Sequence, residues 1–147
     1  MRKIILIVVS LMLLSTAVLC SCSSEPEYTP TTTAPAYAQP IVEAMLQSLS
    51  SNDYQGYYFY LSENLALRTT EEIWGYFRDF YIARIGYYES MQLYDVKVEG
   101  TETTVIFKAK YTKADEVTVT AIFVPWGEAV VVDNLILDSP ELRTNPG

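Results

Sequence analysis

TETTVIFKAKYTKADEVTVTAIFVPWGEAVVVDNLILD, residues 101–138, decides the fold. Within it Val105, Phe107, Ala109 and Tyr111 alternate with Thr104, Ile106, Lys108 and Lys110. Val117, Val119, Ala121 and Phe123 repeat the pattern, and residues 128–137 form another apolar run. Just upstream, Tyr94, Val96 and Val98 alternate with Asp95, Lys97 and Glu99. Successive side chains of a strand point to opposite faces, so these four runs predict four strands. Glu99-Gly100, residues 112–115 and Pro125-Trp126-Gly127 separate them as hairpin turns, which makes the order antiparallel.

Before residue 94 the period changes. Ile41, Val42, Met45, Leu46 and Leu49 recur at helical spacing, with Pro40 in the first turn. Residues 50–53, Ser-Ser-Asn-Asp, break that helix and cap a short second one, in which Tyr54, Tyr57, Tyr58 and Leu61 share a face. Thr69-Thr70-Glu71-Glu72 reads as a capping box for a third helix, with Thr69 and Glu72 satisfying each other's ends. That helix is expected to carry Ile73, Trp74, Phe77, Phe80, Tyr81 and Ile85 inward, to stack Arg78 on Trp74, and to stop at Gly86 after Arg84. The expected class is α+β: three N-terminal helices packed on a four-stranded antiparallel sheet.

Further out, Arg2 and Lys3 precede residues 4–19, an uncharged run whose only polar members are Ser10, Ser15 and Thr16. A basic start and a short apolar stretch followed by small residues form an export signal. The run ends in Leu19-Cys20-Ser21-Cys22, which resembles the bacterial lipobox: aliphatic at −3, small at −1, cysteine at +1. Cys22 fits that frame, whereas Cys20 would put bulky Leu19 at −1. The resemblance implies a signal peptide over residues 1–21, acylation of Cys22, and attachment to the outer face of a membrane. An uncleaved anchor and a plain signal peptide are the alternatives. Residues 22–39 then comprise the lipidated cysteine and a Ser/Thr/Pro-rich tether, too poor in apolar surface to offset its chain entropy. Residues 40–143 form the α+β domain and residues 144–147 a tail.

Composition removes several function classes. Asp and Glu number 18 against 10 Lys and Arg, a net charge of −8 that deepens to −10 once Arg2 and Lys3 are cleaved away. So acidic a chain has no electrostatic case as a nucleic-acid binder. It contains no histidine, and both cysteines lie beside the apolar run, so the domain holds no thiolate metal site or cysteine nucleophile. No metal or other cofactor is expected.

The order of elements resembles the nuclear transport factor 2-like (SnoaL-like) fold, and within it a secreted domain of unknown function. The matching stretches are residues 49–58, residues 69–77 with Trp74, residues 84–87, and residues 123–137. The resemblance implies a curved sheet wrapped into a cone against the helices. In enzymes of that superfamily the cone holds an Asp paired with a His or a Tyr, and this chain departs from the His version outright. A Tyr/Asp pair is the version left, with Tyr57, Tyr58, Tyr76, Asp79 and Asp133 as candidate pocket residues and Asp95 as another internal acid. Asp133 interrupts the apolar strand between Val132 and Leu135; a bulge or a solvent-facing position is the plainer account of it. The helical spacing of the tyrosines equally describes ordinary core, and Trp126 is a better surface-contact candidate than Trp74.

No catalytic constellation emerges, so the expected function is that of a membrane-anchored extracytoplasmic binding or interaction module. A small Tyr/Asp enzyme and a structural envelope protein are the alternatives. Ile106, Ile122 and Val124 fall on the sheet face away from the helices, where a half-solvated sheet should be polar, which suggests a homodimer through the sheet.

Overall fold

A computed structural model describes residues 33–144. Cys22, the signal run and residues 23–32 lie outside the described residues. The fold is α+β, built on an open, curved antiparallel sheet of four strands in the order β1-β2-β3-β4. These are β1 Tyr88–Glu99, β2 Glu102–Tyr111, β3 Ala114–Trp126 and β4 Ala129–Asp138. Gly100 and Gly127 take positive φ in two of the three hairpin turns.

The helices depart from the expectation of three before the sheet. Among the described residues, α1 Ala38–Ser51, α2 Tyr54–Tyr58, α3 Glu63–Arg68 and α4 Glu71–Arg84 precede the sheet, and α5 Pro140–Arg143 follows it. Helix α1 starts two residues before Pro40, and what precedes it is already docked. Ala38 is buried, Ala34 packs on the core, and Tyr37 meets Phe123 edge-on at 5.3 Å. The domain therefore begins before residue 40, because these small and aromatic side chains find apolar cover that their Pro/Thr-rich neighbourhood does not advertise.

Asn52 closes α1 in the left-handed region and Asp53 caps α2, accepting from the Gly56 N–H at 2.9 Å. Beyond α2 the chain touches the free edge of β4. The Val132 N–H donates to the Tyr60 carbonyl, and the Ser62 N–H to the Val132 carbonyl, each at 2.8 Å. Ser62 then caps α3 by accepting from the Leu65 N–H at 3.1 Å. The N-cap of α4 is Thr70, which accepts from Ile73 N–H, and not Thr69. Thr69 instead closes α3 as its C-cap, its N–H donating to the Ala66 carbonyl, and it is buried with its own carbonyl accepting from the Tyr54 hydroxyl at 2.9 Å.

The inner face of the sheet follows the alternation. Val105, Phe107, Ala109 and Tyr111 of β2, Val117, Val119, Ala121 and Phe123 of β3, and Val132 and Leu137 of β4 are buried with Val42, Met45, Leu46 and Leu49 of α1. Two departures come from bulges. The pairing passes from Leu93↔Phe107 to Asp95↔Ile106, so Tyr94 is the extra residue. It turns to the outer face, where the Lys108 ammonium lies 5.0 Å from its ring. Likewise Ile122↔Asn134 is followed by Phe123↔Val132, which leaves Asp133 unpaired in β4. Such bulges bend and twist a sheet locally.

Helix α4 presents less of itself to the core than expected. Trp74 is 3% exposed, Tyr81 is half-buried and Ile85 just past the helix is fully buried, whereas Ile73, Phe77 and Phe80 are exposed. The buried positions fall seven and eleven residues after Trp74 at most, a single narrow seam, so the wider apolar face read from the sequence is not covered. Arg78 pairs with Asp79 at 2.8 Å instead of stacking on Trp74.

The expected helix stop is present. Gly86 has φ +82°, and a Cβ there would strike the Thr112 hydroxyl, which accepts from the Tyr87 N–H at 3.0 Å. Gly86→Ala is expected to cost about 2 kcal/mol or more, because left-handed strain alone is about 1–2 kcal/mol. Urea unfolding measures this, and an unchanged midpoint would contradict it.

Candidate functional site

Helices α2, α3 and α4 stand over the end of the sheet that carries β4 and leave a cavity of about 280 Å³ between them. Leu49, Tyr57, Leu65, Trp74, Phe77, Tyr81, Leu135 and Leu137 give it an apolar and aromatic wall, and Arg68, Thr69 and Asn134 add polar groups. Local structure explains how each arrives. The Asp53 cap starts α2 so that Tyr57 turns inward, the Ser62 cap starts α3 so that Leu65 and Arg68 reach the rim, and the bulge at Asp133 offsets Asn134.

Trp74 forms one wall, with its ring centroid 5.5 Å from that of Tyr54 and 6.0 Å from that of Tyr57. Its indole Nε1–H is buried and has no acceptor among the described residues. A buried donor left without a partner costs roughly 1–3 kcal/mol, which the burial of the indole ring has to offset. The buried Tyr111 hydroxyl likewise has no partner among the described residues.

Burial sets the state of the phenols. It pushes Tyr57 and Tyr81 above the ordinary tyrosine range, with the Tyr81 charge adding to the effect on Tyr57. Tyr111 is raised by burial first and then by Tyr88, Tyr81 and Tyr57. Tyr88 is pushed up to about 12, chiefly by burial and then by the charge of Glu43, whose carboxylate accepts its hydroxyl at 3.4 Å. These groups are neutral at physiological pH and serve as hydrogen-bond donors, not bases. The consequence for stability has a definite sign. Below pH 10, the ordinary phenol value, both folded and unfolded chains hold these protons and the full stability is present. Above it the unfolded chain ionises while Tyr88 in the folded chain keeps its proton up to about 12. Stability is therefore expected to fall across that window, with phenolate absorbance from the buried tyrosines appearing together with loss of circular dichroism. Ionisation of Tyr57, Tyr81, Tyr88 and Tyr111 well before unfolding would contradict it.

The residues singled out from the sequence do not come together. Tyr57 lines the cavity; Tyr58 faces the other side of α2; Tyr76 is exposed on α4; and Asp79 is exposed in its pair with Arg78. Asp133 accepts from the Ser62 hydroxyl at 2.6 Å, next to the cavity but not among its lining residues. Asp95 accepts from the Val96 N–H at 2.8 Å on the opposite edge strand. The bulge read as the plainer account of Asp133 is what the register shows. Arg68 and Asn134 were missed. Their signals were the Ser62-x-x-Leu65 start of α3 and the polar pair breaking β4. Without a carboxylate, histidine or thiol among its lining residues, the cavity has donors and a cation but no base. It is equipped to bind.

A second, more open groove of about 1030 Å³ lies between Ile41, α2, α3 and the β3–β4 hairpin, with Tyr58, Phe59, Leu67 and Trp126 exposed along it. Trp126 is thus a surface residue, as its place in a hairpin implied. The groove is larger, yet the smaller cavity is the better site. It is the less open of the two, and its lining joins an aromatic wall to the polar side chains of Arg68, Thr69 and Asn134.

Among the described residues, no helix is long and apolar enough to cross a membrane, and no group of three or more Asp, Glu, Cys or His side chains could hold a metal ion. The chain matches no protein-family model and no curated protein.

Proposed function

We propose that this chain is an extracytoplasmic lipoprotein, anchored through an acylated Cys22, whose domain is a nuclear transport factor 2-like cone that binds a small molecule. The anchor reading rests on Arg2-Lys3, the apolar run and Leu19-Cys20-Ser21-Cys22. Mass spectrometry of protein from native membranes is expected to find an acylated N-terminal cysteine; an intact Met1 with unmodified Cys22 overturns it. The cone reading rests on the order of helices and meander and on the bulges that curve the sheet.

The observation that carries the binding reading is the concave site under α2–α4, walled by aromatic side chains and lined by Arg68, Thr69 and Asn134 but by no carboxylate, histidine or thiol. Small-ligand sites are concave, mostly apolar and equipped with a few polar groups, and this cavity sits just below their usual volume range of about 300–1,000 Å³. Thermal-shift screening of the full chain against metabolites and glycans is the test. A ligand that stabilises the protein without being consumed supports the module. Chemical turnover replaces the module with an enzyme, and the absence of any stabilising compound overturns ligand binding altogether.

Pairing of two copies through the sheet is a second reading, favoured by Ile136, exposed on the outer face beside half-buried Ile106 and Ile122. Sedimentation equilibrium tests it, and a monomer at high micromolar concentration excludes it.

A further inference from the structure

The open groove between α2, α3 and the β3–β4 hairpin carries large apolar side chains that the fold leaves uncovered. Phe59 is 78% exposed, Leu67 75% and Trp126 56%, with Tyr58 exposed beside them. They come from three separate elements. Tyr58 and Phe59 end α2, Leu67 belongs to α3, and Trp126 closes β3 just before Gly127, whose positive φ turns the hairpin. Glu63 is the only charged residue among those described in the lining. A lone exposed leucine needs no explanation, whereas contiguous apolar surface marks contact with a protein or a membrane.

The way the chain enters the domain favours the membrane. Helix α1 starts at Ala38, and Ile41, about 4.5 Å of helix rise further on, already lines the groove. Tyr37, packed on Phe123, and Ala34, packed on the core, fix that entry beside the groove face. From residue 33 back to Cys22 the chain can span at most about 40 Å. A short tether of this kind gives an effective concentration of about a millimolar, so a patch too weak to hold a bilayer alone still engages it. The side chains agree. Trp and Tyr concentrate at membrane–water interfaces, where the ring sits among apolar groups and its polar edge stays hydrated. Charge then selects the lipid. The net charge of −8, with Glu63 in the lining and Glu128 exposed in the hairpin, opposes an anionic surface, which leaves zwitterionic headgroups and apolar burial as the driving force.

We infer that this groove face is a second membrane contact, in which Phe59, Leu67 and Trp126 enter the headgroup region of a zwitterionic bilayer while the N-terminal anchor holds the domain there. The inference rests on the anchored reading above, and it holds equally for an acylated Cys22 and for an uncleaved apolar run.

The experiment reconstitutes the full chain into phosphatidylcholine vesicles, made with ordinary or with acyl-brominated lipid, and reads tryptophan fluorescence. Bromine quenches an indole only at contact. The chain has two tryptophans, and Trp126→Phe leaves the emission of buried Trp74 alone, so the difference belongs to Trp126. Trp126 emission is expected to shift to the blue and to fall about twofold in brominated vesicles, because interfacial surfaces reach about 5–10 Å into the boundary between headgroups and acyl chains. Phe59→Ser combined with Leu67→Ser is expected to abolish the quenching while the chain still floats with the vesicles. Both residues are mostly exposed, so this variant tests contact and not folding. A chain that floats with the vesicles but keeps Trp126 unquenched overturns the docking and leaves the anchor in place. A Trp126 that is blue-shifted yet unquenched gives the groove to a protein partner and likewise overturns it. Quenching untouched by the double variant puts the contact elsewhere and overturns it too. A chain that does not float overturns the docking and the anchor together.

Discussion

Trp74→Ala is expected to lower the unfolding free energy by about 3–5 kcal/mol, the range for truncating a large buried ring. The indole is 3% exposed and wedged between Tyr54 and Tyr57. Its removal would also join the new void to a cavity of about 280 Å³, so the site has little means of collapsing around the loss. Against a typical stability of about 5–15 kcal/mol, that is enough to unfold a large part of the population. Phe77→Ala, three residues along the same helix, is the control. Phe77 is 53% exposed, and its truncation is expected to cost less than about 1 kcal/mol. Urea titrations followed by far-ultraviolet circular dichroism compare the two. Equal midpoints would mean that α4 is rotated from the orientation described.

Phe107→Ala is expected to be as damaging, at about 3–5 kcal/mol, for a different reason. Phe107 is fully buried on β2, paired with Leu93 of β1 on one side and Val119 of β3 on the other. It belongs to the same buried core as Met45 and Leu46 of α1, and protein interiors are close-packed, so few side chains are free to fill the void. Ile106→Ala, on the opposite face and half-buried, separates core loss from sheet pairing. If two copies pair through that face, the effect of Ile106→Ala grows with protein concentration, whereas that of Phe107→Ala is large at every concentration. A Phe107→Ala protein as stable as the parent would contradict the placement of β2 at the centre of the core.

The strands were readable because β2 and β3 bury one face along most of their length, even though on β1 Val96 is buried and Val98 is exposed. A period of two then becomes compulsory, and a slip of one residue would expose Val105, Phe107, Val117 and Val119 together. Hairpin glycines and Gly86 were readable for a related local reason, since a backbone in the left-handed region favours glycine, with Asn52 the non-glycine that takes it among the described residues. The spacing of Tyr57 and Trp74 marked both as inward-facing aromatics, but not as cavity walls.

What the sequence by itself determined is therefore the α+β class, the four strands with their inner face, the stop after α4 and the lack of a histidine or cysteine site in the domain. Tertiary structure decided which threonine caps α4: Thr69 ends α3, buried and bonded through its carbonyl to Tyr54 fifteen residues away, and Thr70 accepts from the Ile73 N–H. It turned Tyr94 outward and re-aimed Asn134 through bulges, whose positions depend on the partner strand and not on the strand's own pattern. It also left Phe77 at the edge of a cavity when helical periodicity had assigned it to the core. Periodicity states which side chains share a face; whether that face meets protein or empty space depends on elements far away in the chain. Here Arg68 of α3 and Asn134 of β4, sixty-six positions apart, meet at the cavity with Trp74, and no local pattern contains that meeting.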